Sequence, residues 1–244
     1  ETPGYSKEMV GNKNSDLYRK KSMEIFAWEG ERMVNMSPMD SIRHYLSLLH
    51  SGFLAMDPHN GNLLAWVGGI NHRYFKYDHV TSKRQLGSVF KPFVYLKALQ
   101  EGVEPCDYYK NDSIVYEEFD DWTPANADRK YGGVYSMQGA LVNSVNTVTV
   151  QLLMEAGIQP TKQLVTKLGF RDSLPEEPSL ALGTANSSVI NLAEIYTTFT
   201  NDGLPVSSRE ILRIENKEGE IVQEFQSQKP SDRIVSKKHV EQMV

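Results

Sequence analysis

The chain has 244 residues, with 26 Lys or Arg against 31 Asp or Glu for a formal charge of −5. At 40% apolar and 23% charged residues it is a globular chain with a real core, too apolar for disorder, and at about 150 residues per domain it holds one to two domains. The mild acidity without a basic stripe excludes nucleic acid as a default partner, and the longest apolar runs, such as Leu63 to Val67, fall far short of the roughly 18 residues of a membrane span.

A single cysteine, Cys106, excludes an internal disulfide and any cysteine-based metal site. The histidines show no His-x-x-x-His or His-x-His spacing, so neither a metal nor a cofactor is expected. The chain opens at Glu1-Thr2-Pro3-Gly4 without an initiator methionine or an apolar leader, and reads as an excised piece of a longer protein.

Residues 1 to about 50 are polar and irregular and read as a lead-in, with the basic run Arg19-Lys20-Lys21 as a solvated face. Ser37 and Pro38 open a short capped helix over Ser41 to Leu49. Gly52 to Met56 and Asn62 to Val67, joined by Asp57-Pro58-His59-Asn60-Gly61, predict a hairpin. Both runs are apolar at nearly every position, which predicts a pair in the middle of a covered sheet.

Ser88 to Glu101 is apolar all round, the pattern of a buried helix, with Gly102 in the place of a C′ glycine. Pro92 is tolerated only near a helix start, which puts the N-terminus at or just before Ser88. Residues 107 to 135 read as a long solvated loop, because the acidic cluster Glu117 to Asp121 lacks calcium-loop spacing. Ser136 caps a helix to Val142, Asn143 to Asn146 interrupt it, and a second helix runs to Ala156 before Gly157. Further helices are expected over Pro160 to Leu168 and after Ser188, the latter with Leu192, Ile195, Tyr196 and Phe199 on its apolar face. Ile211 to Ile214 and Glu220 to Phe225 form a hairpin around Lys217-Glu218-Gly219, and a helix begins at Lys237. The fold class is α+β, an antiparallel sheet flanked by helices.

Ser88-Val89-Phe90-Lys91 sets a hydroxyl and an amine three residues apart, on one face of a buried helix start. A serine becomes a nucleophile when a base takes its proton, and a lysine kept neutral by burial can serve. The helix start adds a dipole and free N–H groups toward negative charge developing on an attacked carbonyl. By itself the pattern is weak: with 21 serines and 16 lysines, about one Ser-x-x-Lys arises by chance. Ser144-Val145-Asn146, at a helix break, is as common by chance. Each occurs once, in this order and context.

With these residues in view, nearly all of the chain resembles the penicillin-binding proteins, in particular the transpeptidase domain of bifunctional class A enzymes. Gln85-Leu86-Gly87-Ser88-Val89-Phe90-Lys91-Pro92-Phe93 is similar to the family's Ser-x-x-Lys motif with its flanking Gly and Pro. Ser144-Val145-Asn146, preceded by Gly132-Gly133 and Ala140-Leu141, is similar to its Ser-x-Asn motif. Met56-Asp57-Pro58 to Gly69, Trp122-Thr123-Pro124-Ala125-Asn126 and Pro178-Ser179-Leu180-Ala181-Leu182-Gly183 are similar to further signatures.

The resemblance implies a β-lactamase/transpeptidase-like fold. Residues 1–50 would be a lead-in from a glycosyltransferase domain outside the chain, and 51–244 a C-terminally incomplete transpeptidase domain. It also implies an acyl-serine mechanism on peptidoglycan stem peptides ending in D-Ala-D-Ala. Ser88 would be the nucleophile and Lys91 the base. Ser144 would relay a proton to the leaving group, and Asn146 would hold the substrate amide while orienting Lys91. β-Lactams would acylate Ser88. The parent would face the periplasm or outer surface of a bacterium, touching membrane only through an anchor upstream.

One departure stands out. The family's third motif, Lys-Ser/Thr-Gly, does not occur; the nearest run, Lys217-Glu218-Gly219, lacks the hydroxyl and falls in a hairpin turn. That motif's strand would supply an oxyanion donor, and losing one such donor typically costs about 10²–10³ in rate, so this chain is expected to acylate slowly. Two other readings share the nucleophile pair. A serine β-lactamase or carboxypeptidase needs, in the first case, a glutamate for deacylation, which Glu177-Pro178-Ser179-Leu180-Ala181 supplies only in part. A β-lactam sensor or inactive peptide-binding scaffold would keep Ser88 and Lys91, but the lead-in Pro38 to Arg43 resembles the junction of the bifunctional enzymes.

Overall fold

The computed structural model describes residues 16–225 and 233–243. Two compact units share the chain: residues 1–51 with 69–77, and 52–68 with 78–244.

In the first unit, β1 (Lys21–Ala27) and β2 (Gly30–Met36) pair antiparallel, from Lys21 opposite Met36 to Ala27 opposite Gly30. Helix α1 (Pro38–Ser47) follows, closed by a capping box between Ser37 and Asp40. The capped helix stands where the sequence placed it, but the stretch before it, expected to be irregular, forms a hairpin, and an aromatic cluster explains why. Phe26 packs edge-on to Trp28 and Phe75 at 5.7 and 5.6 Å, its N–H donates to the Tyr45 hydroxyl, and its carbonyl accepts from His44. Arg73, from residues 69–77, pairs with Glu24 and Glu31.

The second unit is built around α2 (Lys91–Gln100), whose Phe93, Val94, Leu96 and Ala98 are fully buried. Its end is a Schellman motif: Gly102, at φ +99°, donates to Leu99 O and Val103 to Ala98 O. Against α2 pack α3 (Met137–Val142), α4 (Asn146–Ala156) and α5 (Ile158–Lys167). α4 buries Val148, Val150, Leu152 and Leu153. Helix α6 (Val189–Thr200), capped by Ser188, sets Tyr196 and Phe199 against Phe93 at 5.3 and 5.6 Å, and α7 (Lys237–Met243) packs on both α2 and α6.

The antiparallel sheet resolves into small pairs. β3 (Phe53–Met56) and β4 (Leu63–Val67) form the expected hairpin, but it is a two-stranded pair, and among the described residues no third strand joins it. The prediction of a covered central pair fails here. α6 packs against β3, whereas Phe53, Leu64 and Val67 are exposed. A continuous apolar run shows that a strand can be buried, without supplying the neighbours that would bury it. β5 (Arg84–Gln85) pairs with β8 (Asn186–Ser187), and β9 (Arg213–Glu215) with β10 (Ile221–Glu224) around the Lys217–Gly219 turn. The long loop is closed by β6 (Tyr108–Lys110) against β7 (Val134–Ser136), a pairing the sequence reading did not anticipate. No described helix is long and apolar enough to cross a membrane.

Candidate active site

Ser88 does not lie in the α-helix itself. It sits on a 3-10 turn, Gly87–Phe90, and α2 begins at Lys91 with Pro92 in its first turn. The proline explains this correction. An α-helix through Ser88 would need the N–H of residue 92 to bond Ser88 O, and proline has none. The Lys91 N–H takes that carbonyl instead, which tightens the turn. The hydroxyl of Ser88 is left in the open while the Lys91 side chain is buried.

Two contacts hold the turn in place. On one side Leu86 N–H donates to Ala185 O at 3.0 Å and Gly87 N–H to Gly183 O at 2.9 Å, extending the β5–β8 pair. The backbones approach so closely that a Cβ on Gly183 would lie 2.0 Å from Gly87 O, at a φ of +71°. On the other side the Tyr196 hydroxyl donates to Val89 O at 2.6 Å. Burial pushes that hydroxyl up to about 12, so it remains a donor.

Ser144 comes from the break between α3 and α4. It occupies the C′ position of a Schellman motif, with Ser144 N–H to Leu141 O and Val145 N–H to Ala140 O, at 3.0 and 2.9 Å. Its φ is +53°, a position normally taken by glycine. Asn146 is the first residue of α4.

These four residues converge. Lys91 Nζ donates to Ser144 O (2.6 Å), Ser144 Oγ (3.0 Å) and Asn146 Oδ1 (2.7 Å). Ser144 Oγ in turn donates to Ser88 Oγ at 3.1 Å. The amine thus reaches the exposed serine through the second hydroxyl. Burial brings the Lys91 amine down from 10.5 to about 8, so a neutral amine is accessible near physiological pH. Ser88, Ser144 and Asn146 open onto a cavity of about 440 Å³ that Lys130 and Tyr135 also line. Such an arrangement can withdraw a proton from an exposed hydroxyl, which is what acyl transfer to serine requires.

Beneath the site lies a pair of buried amides that the sequence reading passed over. Asn126 Oδ1 accepts from the Asn146 and Thr147 N–H groups at 3.0 and 3.3 Å, and its Nδ2 donates to Asn111 Oδ1 at 2.7 Å. Asn111 Oδ1 also accepts from the Thr147 hydroxyl. The only sequence signal was the stretch Trp122 to Asn126, noticed as a resemblance without a role. Glu177, the partial match to a deacylating glutamate, borders other cavities and not the one that holds Ser88.

Residues 51–244 match the penicillin-binding protein transpeptidase domain family, and residues 7–49 the penicillin-binding protein middle domain family. Penicillin-binding protein 1A of Neisseria meningitidis is 34% identical over 185 residues, covering 73% of this chain and 23% of the relative. That of Pseudomonas aeruginosa is 35% identical over 177 residues, covering 70% and 22%. The chain thus spans under a quarter of the length of these curated relatives. The fold is similar to the crystal structure of penicillin-binding protein 1A from Haemophilus influenzae, at TM-score 0.73 and 21% identity over 90% of this chain and 36% of that one. It is also similar to the PonA1 protein of Mycobacterium tuberculosis in complex with penicillin V, at TM-score 0.69 and 21% identity, covering 84% and 58%. The chain belongs to the penicillin-binding protein family, and its residues 51–244 are a transpeptidase domain of that family.

Proposed function

We propose that this domain is a D,D-transpeptidase in which Ser88 is the nucleophile, Lys91 the base, Ser144 the proton relay and Asn146 the orienting amide. The single observation that carries the reading is the hydrogen-bonded path from the buried amine through Ser144 to the exposed hydroxyl.

Neutral Lys91 keeps two N–H donors, and Ser144 O and Asn146 Oδ1 are fixed acceptors for them, so its lone pair faces Ser144 Oγ. Ser88 Oγ attacks the carbonyl of the penultimate D-Ala of a stem peptide. Its proton passes to Ser144 Oγ, whose own proton passes to Lys91. As the tetrahedral intermediate collapses, the C–N bond breaks. Ser144 then gives a proton to the departing D-Ala amine and is reprotonated by Lys91. An amine from a second stem peptide attacks the acyl-serine, forms the cross-link and loses its proton along the same path as Ser88 leaves. A β-lactam enters the first half of this scheme and stalls as an acyl-serine; the penicillin V complex of a protein with this fold supports that step.

This chemistry belongs on the outer face of a bacterial cytoplasmic membrane, where stem peptides reside, with residues 1–50 leading in from a glycosyltransferase domain. The test is intact mass spectrometry after long incubation with benzylpenicillin. One adduct is expected, on Ser88, and none in Ser88→Ala. An adduct that persists in the alanine variant would overturn the assignment of the nucleophile.

A further inference from the structure

Helix α4 starts without a capping side chain of its own, because its N-cap residue is Val145. Its first N–H groups would be orphaned beneath the site. They are met from another part of the chain: Asn126 Oδ1 accepts from both Asn146 and Thr147. Asn126 is 7% exposed and Asn111 is 4% exposed.

The orientation of each amide is fixed by carbonyls, which can only accept. Asn111 Nδ2 donates to Lys130 O and Gly132 O, leaving its Oδ1 for Asn126 Nδ2. Asn126 Nδ2 donates also to Lys130 O at 2.8 Å, leaving its Oδ1 for the end of α4. Next along the chain, Ala125 O accepts from Asn146 Nδ2 at 2.8 Å. A reversed Asn146 amide would set oxygen against oxygen at Ala125 and donor against donor at Lys91. Ala125 and Asn126 together therefore fix both the backbone and the side chain of the residue whose Oδ1 holds the Lys91 amine.

We propose that Asn126 is a positioning residue for the transfer reaction: a cap supplied from a distant loop that sets Asn146 and, through it, the proton-accepting amine of Lys91. The role in transfer rests on the reading of Lys91 as base, while the positioning itself is measurable without any transfer.

The measurement is an NMR titration of the chain carrying ¹³Cε-labelled lysine, with the Lys91 signal identified by its loss in Lys91→Arg. In the unaltered chain Lys91 is expected to titrate near 8. In Asn126→Ala the end of α4 loses its acceptor and water enters. The Lys91 midpoint is then expected to rise by about one unit toward the ordinary lysine value, and penicillin acylation at saturating drug to fall about tenfold or more. Tyr95→Phe removes a buried hydrogen bond from α2 to Thr149 of α4, which shares no partner with the Asn111 and Asn126 amides. It is expected to lower the melting temperature and leave the Lys91 midpoint where it was. A Lys91 midpoint unchanged in Asn126→Ala, or moved equally by Tyr95→Phe, would overturn the proposal. If Asn126→Ala does not fold, hydrogen exchange in the unaltered chain decides: slow exchange at the Asn146 and Thr147 amides upholds the cap, and exchange at the rate of an open helix end overturns it. Failure of the wild-type chain to acylate, with the Lys91 shift intact, would refute the transfer reading and leave the positioning standing.

Discussion

Ser144 offers a test in which stability and chemistry move apart. It sits at φ +53°, in the C′ place where a Cβ crowds the neighbouring carbonyl and costs about 1–2 kcal/mol. Ser144→Ala and Ser144→Gly remove the same hydroxyl, with the same bonds to Ser88 and Lys91, and differ only in that Cβ. Glycine relieves the crowding and gives back about 0.5–1 kcal/mol through its freer unfolded chain. The glycine variant is therefore expected to be more stable than the alanine variant by about 0.5–1 kcal/mol, whereas inside a helix glycine is worse by about 1 kcal/mol. For a domain of this size that is roughly 1–4 °C in melting temperature. Urea denaturation of the two variants side by side measures it. Both are expected to acylate more slowly than the unaltered chain by roughly 10²–10⁴, the usual worth of a positioned proton donor or acceptor. An alanine variant as stable as the glycine one would refute the strain at Ser144. Undiminished acylation in either variant would take this hydroxyl out of the proton path.

The pH dependence of acylation, followed by intact mass, is expected to rise with unit slope to about 8 and then level, as the Lys91 amine loses its proton; a flat profile counts against Lys91 as base. Stability carries the same signature. Because burial lowers the folded value below the ordinary 10.5, the unfolded chain binds more protons between about 8 and 10.5, so stability rises with pH across that window and the penalty is complete below it. Urea unfolding of Lys91→Met, compared with the unaltered chain from neutral pH to about 11, should lack that rise. Gly183→Ala, whose Cβ would meet Gly87 O at 2.0 Å, is expected to lose about 2 kcal/mol or more and to acylate poorly. Gly102→Ala, with open space around it at φ +99°, should cost only the backbone strain and acylate normally.

What the sequence made legible was local. Ser37, Ser136 and Ser188 cap the helices they precede, and Gly102 and Gly157 end theirs, because caps and stops depend on a few consecutive residues. The α2 core and the break at Ser144 followed from the same reasoning. The hairpin β1–β2 was hidden because Ile25 and Phe26 are buried side by side. They break strict alternation, and Phe26 is claimed by Tyr74 and Phe75 from far along the chain. The three-residue strands closing the 107–135 loop are too short to carry a period. Asn111 and Asn126 look like ordinary loop asparagines, since nothing local separates a solvated amide from one that also bonds groups 15–36 residues away.

The groups we propose for the chemistry are gathered where the backbone is least regular, and the distribution of polar contacts shows how that is sustained. Ser88 lies on a 3-10 turn, Ser144 in left-handed backbone, and Lys91 carries an amine into a buried place; each departure costs free energy locally. None is left without support. Lys91 finds three oxygens, the end of α4 finds Asn126, and the turn that carries Ser88 is held by Gly183 and Tyr196. The supports come from segments remote in sequence, the α6 residue Tyr196 among them, while beneath them α2 and α4 bury Phe93, Val94, Leu96, Val148, Val150, Leu152 and Leu153 in one apolar core. A substitution in that core should therefore lower stability with little change in the reactivity of the folded fraction. One in Asn126, Gly183 or Tyr196 should alter reactivity out of proportion to its effect on stability, and comparing acylation per folded molecule across the two groups separates them.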